Sequence, residues 1–226
     1  MQDFFSADTL AFIAAHQDDD VAKLALKFSS RKDIDIRAAL QQIEGRQIAK
    51  SKLPLFANAE NIVYPVKLSM EQCSSEKTAL YKQSVAGDGA SMIDLTSGFG
   101  IDFYFISRHF KKAEYVERNA DLCRIASHNF KSLGATNVSA TNADGIELIK
   151  ASTSHYDLIF LDPARRDKNG KKTVEIKDCE PDVVELKETL LSKCDRMMLK
   201  LSPMLDIKSA VRDLGCVEEA HVVAVD

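Results

Sequence analysis

The sequence predicts an α/β protein in which a parallel sheet follows a helical N-terminal region. From residue 91 onward, short apolar runs alternate with helical segments through short connections, which is typical of βαβ units. Before residue 91, apolar residues recur at helical spacing. We therefore expect a helical N-terminal domain over residues 1–88 and a sheet domain over residues 89–226.

Four helices are predicted in the N-terminal region. Ser6 can cap a helix that runs to about His16. The segments DDDVAKLALKF and DIDIRAALQQIEGRQIAKSK carry apolar stripes, and Pro54 ends the second of them. The bridge LPLFANAENIVYPVKLSMEQ shows no regular pattern, and a last helix in SSEKTALYKQSVAG stops near Gly87.

Six strands are predicted after the helical region. They span about residues 91–95, 113–117, 137–141, 156–161, 195–201 and 217–225. Gly134 and Gly215 lie where helix C-caps belong. This alternation predicts a parallel sheet covered by helices on both faces.

The composition narrows the class of protein. Hydrophobic residues make up 45% and charged residues 28% of the chain, as in soluble globular proteins. The net charge of −4 does not indicate nucleic acid, so such a partner would need a local basic patch. No apolar run approaches the roughly 18–20 residues of a membrane span, and the N-terminus lacks the features of a signal peptide. The five cysteines form no CxxC pair, which favours free thiols in a reducing cytoplasm and no metal site.

A glycine-containing loop, DLTSGFGID, follows the first predicted strand. In an open α/β sheet, ligands bind beyond the carboxyl ends of the strands, and Gly98 and Gly100 would let the backbone approach a ligand closely. A dinucleotide loop needs a third glycine, and Phe103 stands at that position. The loop is therefore either a tight strand–helix turn or a site for another kind of ligand.

Acidic residues lie at the ends of three further predicted strands: Glu117 closes the second, Asp144 follows the third and Asp162 closes the fourth. Glu117 can accept hydrogen bonds from two ribose hydroxyls, and Asp144 can reach the edge of an adenine. Each carboxylate alone could instead cap a helix or lie in a solvated loop. Their common position at one sheet edge predicts a ligand that has a nucleoside and no phosphates.

The segments DLTSGFGID, VERN, NADG and LDPARRD resemble the ordered motifs of class I S-adenosylmethionine-dependent methyltransferases over about residues 91–226. The combination is most similar to the RNA-methylating branches. The preceding KLSMEQCSSEKTALYK resembles a helix that leads into the sheet in bacterial proteins with a THUMP-like domain. The resemblance implies a Rossmann-like sheet of order 3-2-1-4-5-6, S-adenosyl-L-methionine as cofactor, and tRNA or rRNA as partner.

The resemblance also implies roles for individual residues. The implied cofactor-binding residues are Asp94, Thr96, Ser97, Gly98, Gly100, Asp102, Glu117 and Asp144. The glycine loop would hold the methionine part, and the two acids that flank it would meet the ammonium end, directly or through water. Glu117 would bind the ribose and Asp144 the adenine amine, while Phe99 or Ile146 could pack on the adenine.

Asp162 would open the acceptor site, and Asp162 and Arg165 are the candidate catalytic residues. Family members that methylate exocyclic amines usually have Asp/Asn-Pro-Pro-aromatic here, and the aromatic ring stacks on the flipped base. This chain has Asp-Pro-Ala-Arg, so Arg165 could stack on a base, bind phosphate or pair with Asp167. Members that methylate pyrimidine C5 use a cysteine where this chain has Ser202, which disfavours that chemistry.

Five basic residues crowd the loop after Asp162: Arg165, Arg166, Lys168, Lys171 and Lys172. Such a loop can be merely solvated, but its place beside the acceptor site favours phosphate contacts by Arg165, Arg166 and Lys168. The sequence thus predicts a methyltransferase acting on an RNA base. Two alternatives stay open: a methyltransferase of a small molecule or protein, or a catalytically weak cofactor-binding module that binds RNA or a partner protein.

The family sheet has a seventh strand between the fifth and the sixth, and only six candidates precede the last residue, Asp226. We therefore expect this chain to be a fragment of a longer protein, because its last apolar run would otherwise form an unpaired edge. The expected cofactor loops precede residue 165, so cofactor binding should persist while methyl transfer is weak.

Overall fold

The structure is a computed structural model that describes residues 1–165 and 175–225. Six helices precede the sheet: α1 (Ala7–Ala15), α2 (Val21–Lys27), α3 (Ile36–Lys52), α4 (Pro54–Asn58), α5 (Lys67–Gln72) and α6 (Glu76–Ala86). The predicted cap is confirmed, since Ser6 Oγ accepts a hydrogen bond from the Thr9 amide at 3.2 Å. The bridge predicted to be irregular contains α4 and α5. Pro54 not only ends α3 but also starts α4, because its missing N–H costs nothing in a first helical turn.

The rest of the chain alternates strands and helices. In order these are β1 (Gly89–Asp94), α7 (Ile101–Ser107), β2 (Phe110–Glu117), α8 (Ala120–Ser132), β3 (Val138–Asn142), α9 (Gly145–Ala151), β4 (Tyr156–Leu161), β5 (Ala164–Arg165), β6 (Cys179–Glu180), α10 (Val183–Leu191), β7 (Cys194–Leu199) and α11 (Ile207–Leu214). Five strands form a parallel sheet in the order β3-β2-β1-β4-β7, while β5 and β6 form a separate antiparallel pair. The predicted α/β class and the order of the first five predicted strands are confirmed.

The prediction of a sixth strand over residues 217–225 is wrong. This segment has no regular structure, and among the described residues β7 pairs only with β4. Val222 is 79% exposed and Val225 is 50% exposed. A strand must pair its N–H and C=O groups, and in the expected order the sixth strand would pair with the seventh. Within the described ranges no such neighbour is present, so the apolar run stays unpaired.

Two apolar clusters cover the two faces of the sheet. Met92 and Ile93, consecutive residues of β1, are both fully buried and belong to different clusters. This follows from the period of two in a strand, which turns successive side chains to opposite faces. Helix α7 packs against β2 in the first cluster, and α10 packs against β7 in the second.

The helical region contacts the sheet domain through its second half. Leu53, Phe56 and Met70 precede the sheet, yet they belong to the same cluster as Met92. Helices α1 to α3 have a smaller cluster of their own that includes Ile43. Where one domain ends and the other begins stays a prediction, because the core is continuous across residue 88.

Two side-chain amides hold the extended segment before α5. Asn129 of α8 accepts from the Val63 N–H at 2.9 Å and donates to its C=O at 2.8 Å. Gln42 of α3 does the same for Tyr64, with both distances at 2.8 Å. Each amide thus makes the pair of hydrogen bonds that a neighbouring strand would make. The bonds of Asn129 fix this segment of the helical region to α8, which covers β2 and β3.

Candidate functional site

The sheet topology places the predicted site residues along one edge. All five strands of the main sheet are parallel, so their carboxyl ends lie on the same side. Asp94 is the last residue of β1 and Glu117 the last of β2, while Asp144 follows β3 and Asp162 follows β4. The loops that carry these residues therefore meet at the edge where α/β proteins bind their ligands.

The two glycines of the loop between β1 and α7 have different functions. Both have a positive φ, +55° at Gly98 and +84° at Gly100, which favours glycine. A Cβ at Gly100 would lie 2.7 Å from Cζ of Phe130, so Gly100 is required for packing. A Cβ at Gly98 would meet nothing within 4 Å. Gly98 therefore borders open space that a ligand can occupy.

Hydroxyl groups connect this loop to the neighbouring strands. Thr96 Oγ1 accepts from the Asp162 N–H at 2.7 Å. Ser97 Oγ donates to the Asp94 carbonyl at 3.0 Å and accepts from the Val116 N–H at 3.2 Å. Since both hydroxyls are engaged with protein groups, they shape the loop and link the end of β1 to β2 and β4.

Glu117 is bound to the glycine loop. Its Oε2 accepts from the Gly98 N–H and its Oε1 accepts from the Asn119 N–H, both at 2.8 Å. The residue is only half-buried, and each carboxylate oxygen keeps a second lone pair. Glu117 can therefore accept two further hydrogen bonds from a ligand, as a ribose diol requires.

Asp144 caps α9, one of the alternatives left open by the sequence. Its Oδ1 accepts from the N–H groups of Ile146 and Glu147, at 2.9 and 3.1 Å. The next residue, Gly145, lets the loop after β3 lie directly against Leu95. A Cβ at Gly145 would collide with the backbone oxygen of Leu95. The sequence analysis missed Gly145, whose only signal is its place in NADG. The third loop is thereby packed directly on the first.

Of the two residues expected to pack on an adenine, only one remains available. Phe99 is 4% exposed, and its ring centroid lies 5.9 Å from that of Phe56. Its side chain belongs to the core, so the expectation for Phe99 is wrong. Ile146 is half-buried and lies beside the Asp144 cap, at a position where it can contact a ligand.

Asp94 is buried at the centre of the edge, with 1% exposure. Burial raises its pKa well above the ordinary value, although the hydrogen bond from the Thr96 N–H opposes this effect. The charges of Asp102 and Asp162 raise the pKa of Asp94 further. Three carboxylates thus act on one region, and Lys82 beside Asp102 and Lys200 beside Asp162 offset part of their repulsion.

Asp102 lies in the first turn of α7 and is 9% exposed. Ser74 Oγ donates to Asp102 Oδ2 at 2.8 Å, and Lys82 Nζ lies 2.9 Å from Oδ1. Lys82 also donates to Ser74 Oγ at 2.9 Å. The sequence analysis missed Ser74 and Lys82, because a lysine on α6 has no spacing that distinguishes it from a solvated one.

Asp162 forms an ion pair with Lys200, the residue directly after β7. Burial raises the pKa of Asp162, although the attraction to Lys200 opposes this effect. The Lys200 N–H donates to the Leu161 carbonyl at 2.9 Å, which fixes the backbone of both partners. Lys200 was also missed, because nothing in KLSPM indicates that its lysine turns toward β4.

The predicted RNA-binding residues lie in or next to the part of the chain that is not described. Arg165 lies in β5, whose residues pair with those of β6. Arg166 and Lys168, with Lys171 and Lys172, fall outside the described residues. Their phosphate contacts stay a prediction.

Among residues 1–165 and 175–225, no helix is long and apolar enough to cross a membrane. Over the same ranges, no group of three or more His, Cys, Asp or Glu side chains is placed to hold a metal ion.

The sheet order, the glycine loop after β1 and the carboxylates at the strand ends define the fold of class I methyltransferases. A crystal structure named "putative methyltransferase from Porphyromonas gingivalis W83" matches 92% of this chain with a TM-score of 0.73 and 30% sequence identity. Residues 75–191 match the model of the family described as Conserved hypothetical protein 95. This match covers just over half of the 226 residues, and the chain belongs to that family.

A further relative is a protein of Mycoplasma mobile named as an uncharacterized RNA methyltransferase. It is 29% identical over 135 residues, which are 58% of this chain. The matches span 37% of the Mycoplasma protein and 52% of the Porphyromonas chain. The chain thus spans about half or less of the length of these relatives. The resemblance to proteins with a THUMP-like domain stays a prediction.

Proposed function

We propose that this protein is an S-adenosylmethionine-dependent methyltransferase that acts on an RNA base. The observation that carries the proposal is the loop at Gly98, which borders open space while its N–H is bound to the carboxylate of Glu117. Such an arrangement suits a nucleoside, because its backbone can be approached closely and a carboxylate beside it can accept from the ribose diol. The relatedness to proteins named as methyltransferases supports the choice of donor.

In this proposal, each residue at the edge contacts a different part of the donor. Glu117 accepts from the ribose hydroxyls, Asp144 accepts from the adenine amine through its exposed carboxylate, and Ile146 packs against the ring. When bound, S-adenosylmethionine supplies an electrophilic methyl group on a cationic sulfonium. Burial makes the charge of Asp94 costly, and a cation nearby would reduce that cost, which favours the cationic donor over S-adenosylhomocysteine, whose sulfur is uncharged.

Asp162 serves the acceptor side. Its backbone is held by Thr96 and its carboxylate by Lys200. Since the carboxylate is paired through one oxygen, the other can accept a hydrogen bond from the acceptor base and orient it toward the methyl group. The Asp-Pro-Ala-Arg sequence has no aromatic residue, so base stacking falls to Arg165 in this proposal.

The choice of RNA as acceptor rests on two observations of different kinds. The Mycoplasma relative is named as an RNA methyltransferase. Five basic residues follow Asp162 closely in the sequence, and clustered basic side chains near the transfer site would bind phosphates.

The test has a binding part and a transfer part. By calorimetry, the chain should bind S-adenosylhomocysteine more tightly than NADH, and Glu117→Ala should weaken that binding by about 2 kcal/mol through lost hydrogen bonds to a charged group. An exposed acid without a place in the site, Glu60, provides the matched control variant. Tighter binding of NADH would contradict the donor assignment.

For transfer, the protein is incubated with methyl-labelled S-adenosylmethionine and undermethylated total RNA, soluble protein or a small-molecule extract. Because methyl transfer by this chain is expected to be weak, we expect only a small amount of label, and we expect ribonuclease to release it. Label that is released only by protease, or that stays in the small-molecule fraction, would contradict RNA as acceptor. Binding of the donor without label in any fraction would support the cofactor-binding module instead.

A further inference from the structure

The end of β4, where we place the acceptor, contains a pair of opposite charges that is built into the register of the sheet. Strands β4 and β7 pair in parallel with Leu161 opposite Leu199, so Asp162 and Lys200 are the next residues of two neighbouring strands. Their side chains form an ion pair, and the Thr96 hydroxyl accepts from the Asp162 N–H. The sheet therefore presents an acid and an ammonium group side by side, next to the glycine loop.

Both members of this pair can make further hydrogen bonds. The side chains of Asp162 and Lys200 are 37% and 29% exposed, so a molecule that approaches the edge can reach them. Asp162 accepts from Lys200 through Oδ2, which leaves Oδ1 as an acceptor, and an ammonium group has two more N–H donors than this bond uses. A ligand that has a donor next to an acceptor can therefore bind both members at once.

The surroundings of the pair give Asp162 the properties of a general base. The other charged and titratable groups around the pair are Lys82, Asp94, Asp102 and the thiol of Cys73. Burial raises the pKa of Asp162, the attraction to Lys200 opposes this effect, and Asp102 and Lys82 act in opposite directions. A carboxylate with a raised pKa holds a proton more strongly than an ordinary one, which suits a group that must take a proton from a substrate.

The two charges suit one kind of base nitrogen better than another. When a neutral exocyclic amine attacks a methyl group, positive charge develops on its nitrogen, and the ammonium group of Lys200 would repel that charge. A lactam nitrogen carries a hydrogen and lies beside a carbonyl group. It must lose its proton, and negative charge then develops on the carbonyl oxygen. This second reaction needs a base for the N–H and a donor for the oxygen, and the pair of Asp162 and Lys200 supplies both.

We propose that the acceptor is a lactam ring nitrogen of an RNA base, as in uracil or guanine. Asp162 Oδ1 takes the proton from the ring nitrogen, and Lys200 donates to the adjacent carbonyl oxygen. The ring nitrogen forms the bond to the methyl carbon while the bond from that carbon to sulfur breaks, and the sulfur keeps the electron pair as an uncharged thioether. The proton on Asp162 passes to water after the product leaves. The inference rests on the proposed function, because it names the class of base that is methylated.

The first experiment identifies the labelled base. RNA that the full chain has labelled is digested to nucleosides, which are separated by chromatography against standards. We expect the label in 3-methyluridine or 1-methylguanosine, and the standards show which lactam base is the acceptor. Label on an exocyclic amine, on a ring carbon or on a ring nitrogen without hydrogen would overturn the inference while the proposed function stands. Absence of label from the RNA would contradict the proposed function itself.

Lys200→Met tests the donor to the carbonyl oxygen. It should slow the labelling at least about tenfold at neutral pH, because a hydrogen bond to a charged group is lost in the transition state, and it should leave the affinity for S-adenosylhomocysteine unchanged. Lys208→Met removes an exposed lysine of α11 and is the matched control, which should change neither quantity. If folded Lys200→Met labels RNA as fast as the wild type, the inference fails. If this variant does not fold, the labelled nucleoside of the wild type still decides.

Asp162→Asn tests the base through the pH dependence of the labelling. Asparagine keeps an oxygen but cannot take the proton, so the acceptor must lose its proton to the solvent before it attacks. The residual labelling by this variant should therefore rise with pH above neutrality, by up to about tenfold per pH unit. An exocyclic amine attacks before it loses a proton, so its labelling would not rise in this way. A residual rate that stays flat above neutral pH would contradict a lactam acceptor.

Discussion

The two sides of the site edge are held together by different kinds of contact. On the donor side, which comprises the loops after β1, β2 and β3, short polar links and close packing join neighbours: Glu117 binds the Gly98 N–H, and Gly145 packs against Leu95. On the acceptor side, which comprises the loops after β4 and β7, an ion pair between Asp162 and Lys200 joins the two loops. Close packing at glycine positions is a feature of the donor side, whereas the two loops of the acceptor side are joined by an ion pair in addition to a backbone hydrogen bond.

This difference has a consequence for what each side tolerates. A site built on glycine contacts is disrupted by added volume, whatever the pH. A site built on an ion pair tolerates changes in volume but responds to pH and to loss of either partner. Substitutions on the two sides should therefore have different signatures, and the following predictions use that contrast.

The largest effect is expected for Gly100→Val on the donor side. The new side chain would meet Phe130 within 2.7 Å at a φ of +84°, and we expect a loss of about 3 kcal/mol in the free energy of unfolding. Urea denaturation measures this loss. Gly98→Ala is the matched control, because its Cβ meets nothing within 4 Å. It should cost only about 1 kcal/mol of stability.

Gly98→Ala, which should cost little stability, should have its main effect on ligand binding. The Cβ of Gly98→Ala projects into the open space proposed for the donor, so the folded variant should lose affinity for S-adenosylhomocysteine. If Gly98→Ala binds as tightly as the wild type, the open space is not the donor site. If Gly100→Val is as stable as the wild type, packing at this loop does not fix the donor side.

A smaller effect is expected for Lys200→Met on the acceptor side. The paired side chains of Lys200 and Asp162 are 29% and 37% exposed, so water screens part of the loss. We expect about 1–2 kcal/mol at neutral pH, less than for a fully buried pair. The double variant with Asp162→Asn should recover most of this loss, because the unpaired charge is then removed as well.

The pH dependence of Lys200→Met has a definite sign. Without the lysine, the pKa of Asp162 in the folded state rises further above its unfolded value. Between these two values the folded state binds more protons, so stability falls as the pH rises through this window. The deficit of the variant relative to the wild type should therefore shrink when the pH is lowered from 7 to 4. A deficit that is independent of pH would mean that Asp162 is not held by its charge.

The same contrast explains which features could be predicted from the sequence. Glu117 closes one apolar run and Asp144 follows another. Because parallel strands end at one edge, topology alone predicts that the two residues lie near each other. The pair of Asp162 and Lys200 joins residues 38 positions apart through side chains, and no periodicity reports such a contact. Ser74 and Lys82 were missed for the same reason.

The errors also have a physical explanation. The run at residues 217–225 was predicted as a strand because it is apolar, but apolar content supplies no hydrogen-bonding partner, and the described residues contain none beside it. Phe99 was expected at the adenine because it lies in the glycine loop. Its ring instead lies in the core, where its centroid is 5.9 Å from that of Phe56.

The smallest effect is expected at Asp94, the residue between the two sides. Its pKa is raised well above the ordinary value of 3.8, mainly by burial. The folded wild type therefore binds a proton that the unfolded chain has lost at the same pH, and its stability falls as the pH rises from about 4. Asp94→Asn keeps an oxygen for the Thr96 N–H and has no such titration. The variant should match the wild type near pH 4 and become more stable than the wild type as the pH rises toward 7. Urea denaturation across this range measures the difference, and a constant difference would show that burial does not control the protonation of Asp94. Such a result would also weaken the view that the three carboxylates favour a cationic donor, because that view requires charge at this position to be costly until a cation binds.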